Sequence, residues 1–318
     1  MRLVSSRPCF RQLSNFYADR CVHREPSSFS KSIIVTDGER KGAPHRFLTF
    51  GDAPPHSSVQ GRVRLRNKSR PFDHSARCDY VNTMLGSSLC YTSILNHLSI
   101  DSLFQSDLKI ASFGLGSGSI PDFFHRFTKA SVEVVEIDPA VARVSETYFG
   151  FETSDRIRLH VRDANDWTLD NANRRDMDII FVDIYNHEGL AMDALNQQMI
   201  STLPSLLSTD GIIISNVFSD IKNHNVVNQL LQKHLQHTHT LSVGTTHNVI
   251  LTSFGCNESW TENNLDERGA VEKMKTETVT KQKLMRAAEA IAARGCIDFD
   301  IERVMQEALE DEFSFREE

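Results

Sequence analysis

The sequence has no long hydrophobic run: no stretch of its 318 residues approaches the roughly 18 apolar residues of a membrane-spanning helix. It has no surplus of positive charge either. A net charge of −7 gives no general attraction to nucleic acid. The six cysteines, Cys9, Cys21, Cys78, Cys90, Cys256 and Cys296, include no C-x-x-C pair and are too sparse for a disulfide framework. A reducing compartment is the default expectation, and no internal repeat is visible. What is present is 40% hydrophobic content, enough to bury a core in one large domain with smaller additions.

Three closely spaced glycines organise the chain. In KIASFGLGSGSIP, residues 109–121, an apolar strand runs into Gly114, Gly116 and Gly118 and then into a helix. Glycine permits positive φ and close backbone approach, and the helix that follows offers unpaired N–H groups and a positive dipole end to a ligand. A dinucleotide fingerprint G-x-G-x-x-G would need glycine at position 119, where this chain has Ser119. The spacing G-x-G-x-G suits S-adenosylmethionine better. Glu136 follows Gly116 by twenty residues at the end of the next apolar run, where a carboxylate can accept from ribose hydroxyls. Asp138 before Pro139 reads as a helix N-cap.

Around this centre the text divides into four spans. Residues 1–31 carry Arg2, Arg7, Arg11, Arg20, Arg24 and Lys31 against only Asp19 and Glu25, with frequent serine. That balance fits an organelle transit peptide, most simply mitochondrial, or a disordered tail of a cytoplasmic protein. Residues 32–75 form a small β element, with a hairpin turning at Asp37-Gly38 and a further strand over 59–65. Residues 76–255 begin with a helix over 78–98 and then alternate strand and helix, with strands near 109–114, 132–137, 156–161, 177–183, 210–217 and 247–254, the last ones antiparallel. Pro204 should break the helix over 193–207. Residues 256–318 supply a polar connection, a helix stopped by Gly295 with a charged, solvated face, and a short last helix. The fold class is therefore α/β, a doubly wound, mostly parallel Rossmann-like sheet with an N-terminal β element and C-terminal helices.

In such a sheet ligands bind outside the carboxyl ends of the strands, where three acidic residues fall. Glu136 ends the second strand. Asp163 follows the third and could accept from an adenine amino group or cap the next helix. Asp183 ends MDIIFVD, emerges from a buried strand, and becomes adjacent to the glycine loop if the fourth strand lies beside the first. A carboxylate there needs a positive partner, such as an incoming amine or a sulfonium, and could remove a proton during group transfer. A loop cap without chemistry is the alternative. His187 is a plausible neighbour. His234, His237 and His239 are close in sequence but span a helix end and a strand start, so no metal site is expected.

GLGSGSIP, VEIDPAV, YFGF with DRIRLHVRDA, and IIFVD together resemble the spermidine synthase-like family of class I S-adenosylmethionine-dependent transferases. The resemblance runs from RFLTFG through Gln60 to AIAARGCIDFD, and its nucleotide-binding half is also similar to methyltransferase-like proteins that modify a translation elongation factor. It implies that the Gly114–Gly118 loop, Glu136, Asp163 and Ala164 hold S-adenosylmethionine or its decarboxylated form. It also implies that Asp183 is the proton acceptor and that Gln60, Tyr80 and Asn186 face the substrate. Dimerisation is common in that family. Polyamine-binding members carry a second aspartate where this chain has Asn186, and an Asp-Glu pair before the matching tyrosine, where this chain has Ala76 and Arg77. Fewer carboxylates and an added arginine would weaken attraction for a dicationic diamine. The expectation is methyl transfer to an amine-bearing small molecule or protein, with aminopropyl transfer and a non-catalytic scaffold as alternatives.

Overall fold

Two sheets of different construction share the chain. A computed structural model describes residues 20–51, 59–69, 71–186, 189–190, 197–218, 221–244, 246, 248–256 and 279–310. The first sheet is antiparallel, in the order β1 (Arg20–Ser27), β2 (Lys31–Arg40), β3 (Ala43–Phe50), β4 (Val59–Leu65) and β5 (Phe72–Asp73). Its hairpin turns at Lys41-Gly42, not at Asp37-Gly38: Arg40 pairs with Ala43, and Lys41 and Gly42 take φ of 50° and 73°. Two consecutive positive φ values are what a two-residue hairpin loop demands, and Gly42 meets that demand where Gly38 does not have to. Asp37 instead stays in β2, where its carboxylate accepts from Arg46 at 2.7 and 2.9 Å. β1 was not expected. Residues 20–27 pair with β2 in place of joining the basic tail, so the sheet reaches into the span 1–31; residues 1–19 lie outside the described residues.

The helix α1 (Asp79–Leu95) follows, then α2 (Ile100–Gln105), and the alternating region begins. It runs β6 (Lys109–Phe113), α3 (Ser119–Phe127), β7 (Ser131–Glu136), α4 (Pro139–Val144), β8 (Ile157–Val161), α5 (Ala164–Asp170) and β9 (Met177–Val182). A two-residue ladder joins β10 (Tyr185–Asn186) to β11 (Gly189–Leu190). Then come α6 (Gln197–Thr202), β12 (Leu207–Phe218), α7 (Ile221–His234), β13 (Leu235–Ser242) and β14 (Asn248–Cys256). Pro204 sits in the first turn of a tight 3-10 segment, Leu203–Leu206, that ends α6 as its missing N–H requires.

The second sheet has seven strands in the order β13-β14-β12-β9-β6-β7-β8. β6 pairs in parallel with both β7 and β9, so the winding reverses between β6 and β9. β14 is antiparallel to both its neighbours, as expected of the last strands, and β13 lies where the sequence showed only a strand start among the histidines. Alternate residues of β9 feed opposite faces. Ile179 and Phe181 join a core with α1 and α3, while Ile180 and Val182 join one with Trp167, Met199 and Leu231. Burial on both faces explains the unbroken apolar run in MDIIFVD.

The C-terminal helices α8 (Lys281–Arg294) and α9 (Ile301–Glu310) cover α1. α8 is not only a solvated face: Leu284, Ala288 and Ile291 are fully buried, and Gly295 closes it with a left-handed φ of 64°. Between them Asp298 accepts two hydrogen bonds at 2.9 Å from Nη2 of Arg77, whose guanidinium is fully buried and lies over Phe123 and Phe299. Arg77 therefore fastens the C-terminal segment to the start of α1. Among the described residues no helix is long and apolar enough to cross a membrane.

Candidate active site

The ends of β6, β7, β8 and β9 open into one cleft with about 690 Å³ of empty space, part of it continuous with solvent. Its walls include Gly114, Leu115 and Gly116 from the loop after β6, Glu136 and Asp138 after β7, Asp163 and Ala164 after β8, and Asp183 after β9. Gln60 and Tyr80 complete it from β4 and α1. Two sequence-predicted residues lie elsewhere. Gly118, at φ 77°, caps α3 and packs on Phe151, and Asn186 sits on β10 one residue past the lining Tyr185. His187 lies outside the described residues.

Crowding explains the glycine at 114. A Cβ there would lie 2.2 Å from the carbonyl oxygen of Asp183, and its φ of 92° already disfavours any other residue. The loop is braced from behind. Ser145 donates to the carbonyl of Gly116, and buried His74 bonds Ser119 Oγ through Nδ1 at 3.1 Å and the Phe149 carbonyl through Nε2 at 3.0 Å. Burial lowers the His74 pKa, so the ring is neutral, donating from Nε2 and accepting at Nδ1.

Glu136 is buried, and each of its oxygens accepts a backbone hydrogen bond of 2.9 Å, from Leu115 and from Asp138. Burial still raises its pKa to about 7, against the lowering effect of those donors. The Ile137 backbone also acts on the carboxylate, which keeps acceptor capacity for a ligand hydroxyl. Asp138 is the N-cap of α4, accepting from Ala140 at 2.8 Å, with Pro139 in the first turn. Asp163 fulfils the capping alternative, accepting from Asn165 at 2.6 Å, while also lining the cleft beside Ala164.

Asp183 is brought beside the glycine loop by the β6–β9 pairing: its N–H donates to the Phe113 carbonyl at 2.9 Å. Asn216 Nδ2 donates to Oδ1 at 2.8 Å, and the Tyr80 hydroxyl donates to Oδ2 at 3.3 Å. Asn248 donates to Asn216 Oδ1 at 2.9 Å, which fixes the orientation of the Asn216 amide. Desolvation raises the Asp183 pKa to about 6, with the two donors pulling it down. The Tyr80 phenol is pushed well above its ordinary value by burial and by Asp183, so it remains a donor. Such a carboxylate can take up a proton near neutral pH.

Sequence reasoning missed Asn216, Asn248 and the contribution of the first sheet, from which Phe29, Ser30 and Phe50 reach the cleft. The one available signal was an asparagine inside the apolar IIISNVF run. Arg77, expected to add positive charge to the acceptor pocket, does not line the cleft, because Asp298 takes its guanidinium between Phe123 and Phe299. Of the three histidines, His237 and His239 of β13 both pack on Phe254, and His234 ends α7. His239 Nδ1 bonds the Tyr91 hydroxyl at 2.7 Å, His237 stacks on Phe254, and among the described residues no group of three or more potential ligands could hold a metal.

The profile of the Spermine/spermidine synthase domain family matches residues 90–254. The eEF1A lysine and N-terminal methyltransferase of Mus musculus is 29% identical over 227 residues, covering 61% of this chain and 32% of that protein. The polyamine aminopropyltransferase of Vibrio vulnificus is 31% identical over 117 residues, covering 36% of this chain and 39% of the bacterial protein. The chain thus spans about a third of the length of the curated relatives it matches. Human Methyltransferase-like protein 13, solved in complex with SAH, shares the fold, with a TM-score of 0.51 at 23% identity over 72% of this chain and 93% of that chain.

Proposed function

The chain belongs to the Spermine/spermidine synthase domain family, and we propose that it is an S-adenosylmethionine-dependent methyltransferase acting on an amine. The residues fit that cofactor. Glu136 offers a carboxylate acceptor to ribose hydroxyls, the Gly114–Gly116 backbone lines the cleft beside it, and Asp163 with Ala164 borders the base side. When bound, S-adenosylmethionine supplies an electrophilic methyl group on a sulfonium.

One observation favours methyl over aminopropyl transfer. Of the four carboxylates lining the cleft, Glu136, Asp138 and Asp163 are engaged at the β7 and β8 side by backbone donors, leaving Asp183 alone for the acceptor among the described residues. A single carboxylate matches a monocationic amine. A diamine would present a second charge without a described partner. The curated relatives that cover most of this chain are eEF1A methyltransferases, which supports a protein acceptor. Aminopropyl transfer remains the rival reading because the Tyr80–Asp183 pair is retained.

The residues would divide the work as follows. Asp183 attracts the ammonium form of the acceptor and takes its proton, and Oδ2, whose bond from Tyr80 is the longer one, is the more weakly held oxygen. Asn216 and Tyr80 hold the carboxylate in place, so the freed amine is aligned without further reorganisation. Phe50 and Tyr185 restrict water. Parallel incubations with methyl-labelled S-adenosylmethionine and with its decarboxylated form, each offered a lysine-bearing peptide, a peptide with a free N-terminus and putrescine, test the proposal. Label on a peptide supports it; aminopropyl transfer to putrescine from the decarboxylated cofactor, with no methyl transfer, overturns it.

Targeting is a separate matter. A leader cleaved after residue 31 would remove β1 and the turn that follows it, so we assign any import signal to residues 1–19. A reporter carrying those residues should enter mitochondria, and a purely cytosolic reporter would contradict the assignment.

A further inference from the structure

The turn between β1 and β2 is tied to the cofactor loop in a way the proposed function does not use. Ser27 donates to Asp138 Oδ2 at 2.5 Å while its own oxygen accepts from the backbone N–H groups of Phe29 and Ser30 at 3.0 and 2.8 Å. The same hydroxyl therefore shapes the turn and anchors it two residues beyond Glu136. Two more ties run in parallel: Arg143 of α4 donates to Glu25 at 2.9 Å, and the His23 ring stacks on Tyr148 at 4.8 Å. Ser30 is buried, its carbonyl accepting from Gly51 at 3.0 Å. Phe29, by contrast, is 42% exposed although it lines the cleft. This ring, at the rim of a ligand cleft on a turn held at both ends, presents part of its apolar face to the cleft.

We propose that the β1–β2 turn is a strap over the nucleoside side of the cleft, with Phe29 a cofactor-contacting residue and Ser27 the positioning residue that latches it to Asp138. This rests on the S-adenosylmethionine reading. The side of the cleft follows from the anchor: Asp138 and Val141 of α4, next to Glu136, share the wall with Phe29 and Ser30, whereas Asp183 and Tyr185 belong to the β9 side. Ligand binding covers the Phe29 ring, so the strap adds affinity for any ligand carrying the nucleoside, whatever its other end.

Calorimetry and stopped-flow dissociation with S-adenosylhomocysteine and with methylthioadenosine test it, using wild type, Phe29→Ala, Ser27→Ala and Ser27→Thr. Removing one aromatic contact should weaken binding about three- to tenfold, equally for both ligands, and mainly through faster dissociation. Ser27→Ala should lose a similar factor and raise KM for S-adenosylmethionine more than it lowers kcat, while Ser27→Thr, which keeps the hydroxyl, recovers most of the affinity. Ligand-free thermal unfolding of each variant separates these losses from misfolding. Wild-type binding with Phe29→Ala unchanged overturns the strap and leaves the cofactor reading standing. A loss confined to S-adenosylhomocysteine places Phe29 at the amino-acid end and also overturns it. Wild type that binds neither ligand overturns the cofactor reading itself.

Discussion

Asn216 donates to the Asp183 carboxylate across 2.8 Å and is itself held by Asn248 at 2.9 Å, so the acid at the end of β9 is oriented by two asparagines on the neighbouring strands β12 and β14. The arrangement gives a half-buried carboxylate two donors, from Asn216 and Tyr80, but no cationic partner within the described protein. It is a group set up to meet a positively charged ligand.

Asp183→Asn should leave affinity for S-adenosylhomocysteine nearly intact and lower turnover by roughly 10²- to 10⁴-fold, the range for loss of a general base. In wild type the acid limb of the rate profile should lie near pH 6, because the carboxyl must be ionised to act and burial has raised its pKa to about 6. Turnover that is flat from pH 5 to 8 would contradict the assignment.

Asn216→Ala removes the donor that stabilises ionised Asp183. The acid limb should therefore move to higher pH, with the shift seen in kcat and the cofactor affinity little changed. An unmoved limb would mean that Asn216 serves packing alone.

Glu136 links cofactor binding to pH. Its folded pKa of about 7 lies above the ordinary value of 4.5, so the native state binds more protons than the unfolded chain between those values. Stability should fall as pH rises from about 4.5 to 7, by at most about 3 kcal/mol from this group. Urea titrations of ligand-free protein should show a decline in wild type that is smaller in Glu136→Ala. Affinity for S-adenosylhomocysteine should rise over the same range, because ribose hydroxyls donate to the ionised form. Glu136→Ala with unchanged affinity would remove the ribose role.

The strands that were legible in the sequence are the ones buried on both faces. MDIIFVD and the KIASF run read as strands because doubly covered strands are dominated by apolar residues, and the glycines after KIASF mark a turn that a Cβ at Gly114 would block. β1 was illegible, and β13 legible only as a strand start, for the opposite reason. β1 is an edge strand with mixed exposure, RCVHREPS, and β13, LQHTHTLS, owes its place to pairing with β14 rather than to its own pattern. Within the site, the acids could be named because topology places strand ends together. Asn216, Asn248 and Phe29 could not, since their roles depend on side chains meeting across β14, β12 and the first sheet. Arg77 shows the same limit: sequence proximity to Tyr80 suggested the pocket, whereas a partner 221 residues away, Asp298, determined where the side chain went.

That pair gives a further expectation. Asp298→Ala leaves the Arg77 guanidinium buried without its bidentate acceptor and should destabilise the protein by about 3–5 kcal/mol. Asp298→Ala combined with Arg77→Met should recover part of that loss, because no charge then remains buried. Equal stability of the single and double variants, measured by urea unfolding, would show that the pair is not coupled.

Calorimetry comparing S-adenosylmethionine with its decarboxylated form bears most directly on the central claim, that this cleft binds the intact cofactor for methyl transfer. The account predicts tighter binding of S-adenosylmethionine, reduced in Glu136→Ala and retained in Asp183→Asn. Tighter binding of the decarboxylated form would contradict it in favour of aminopropyl transfer.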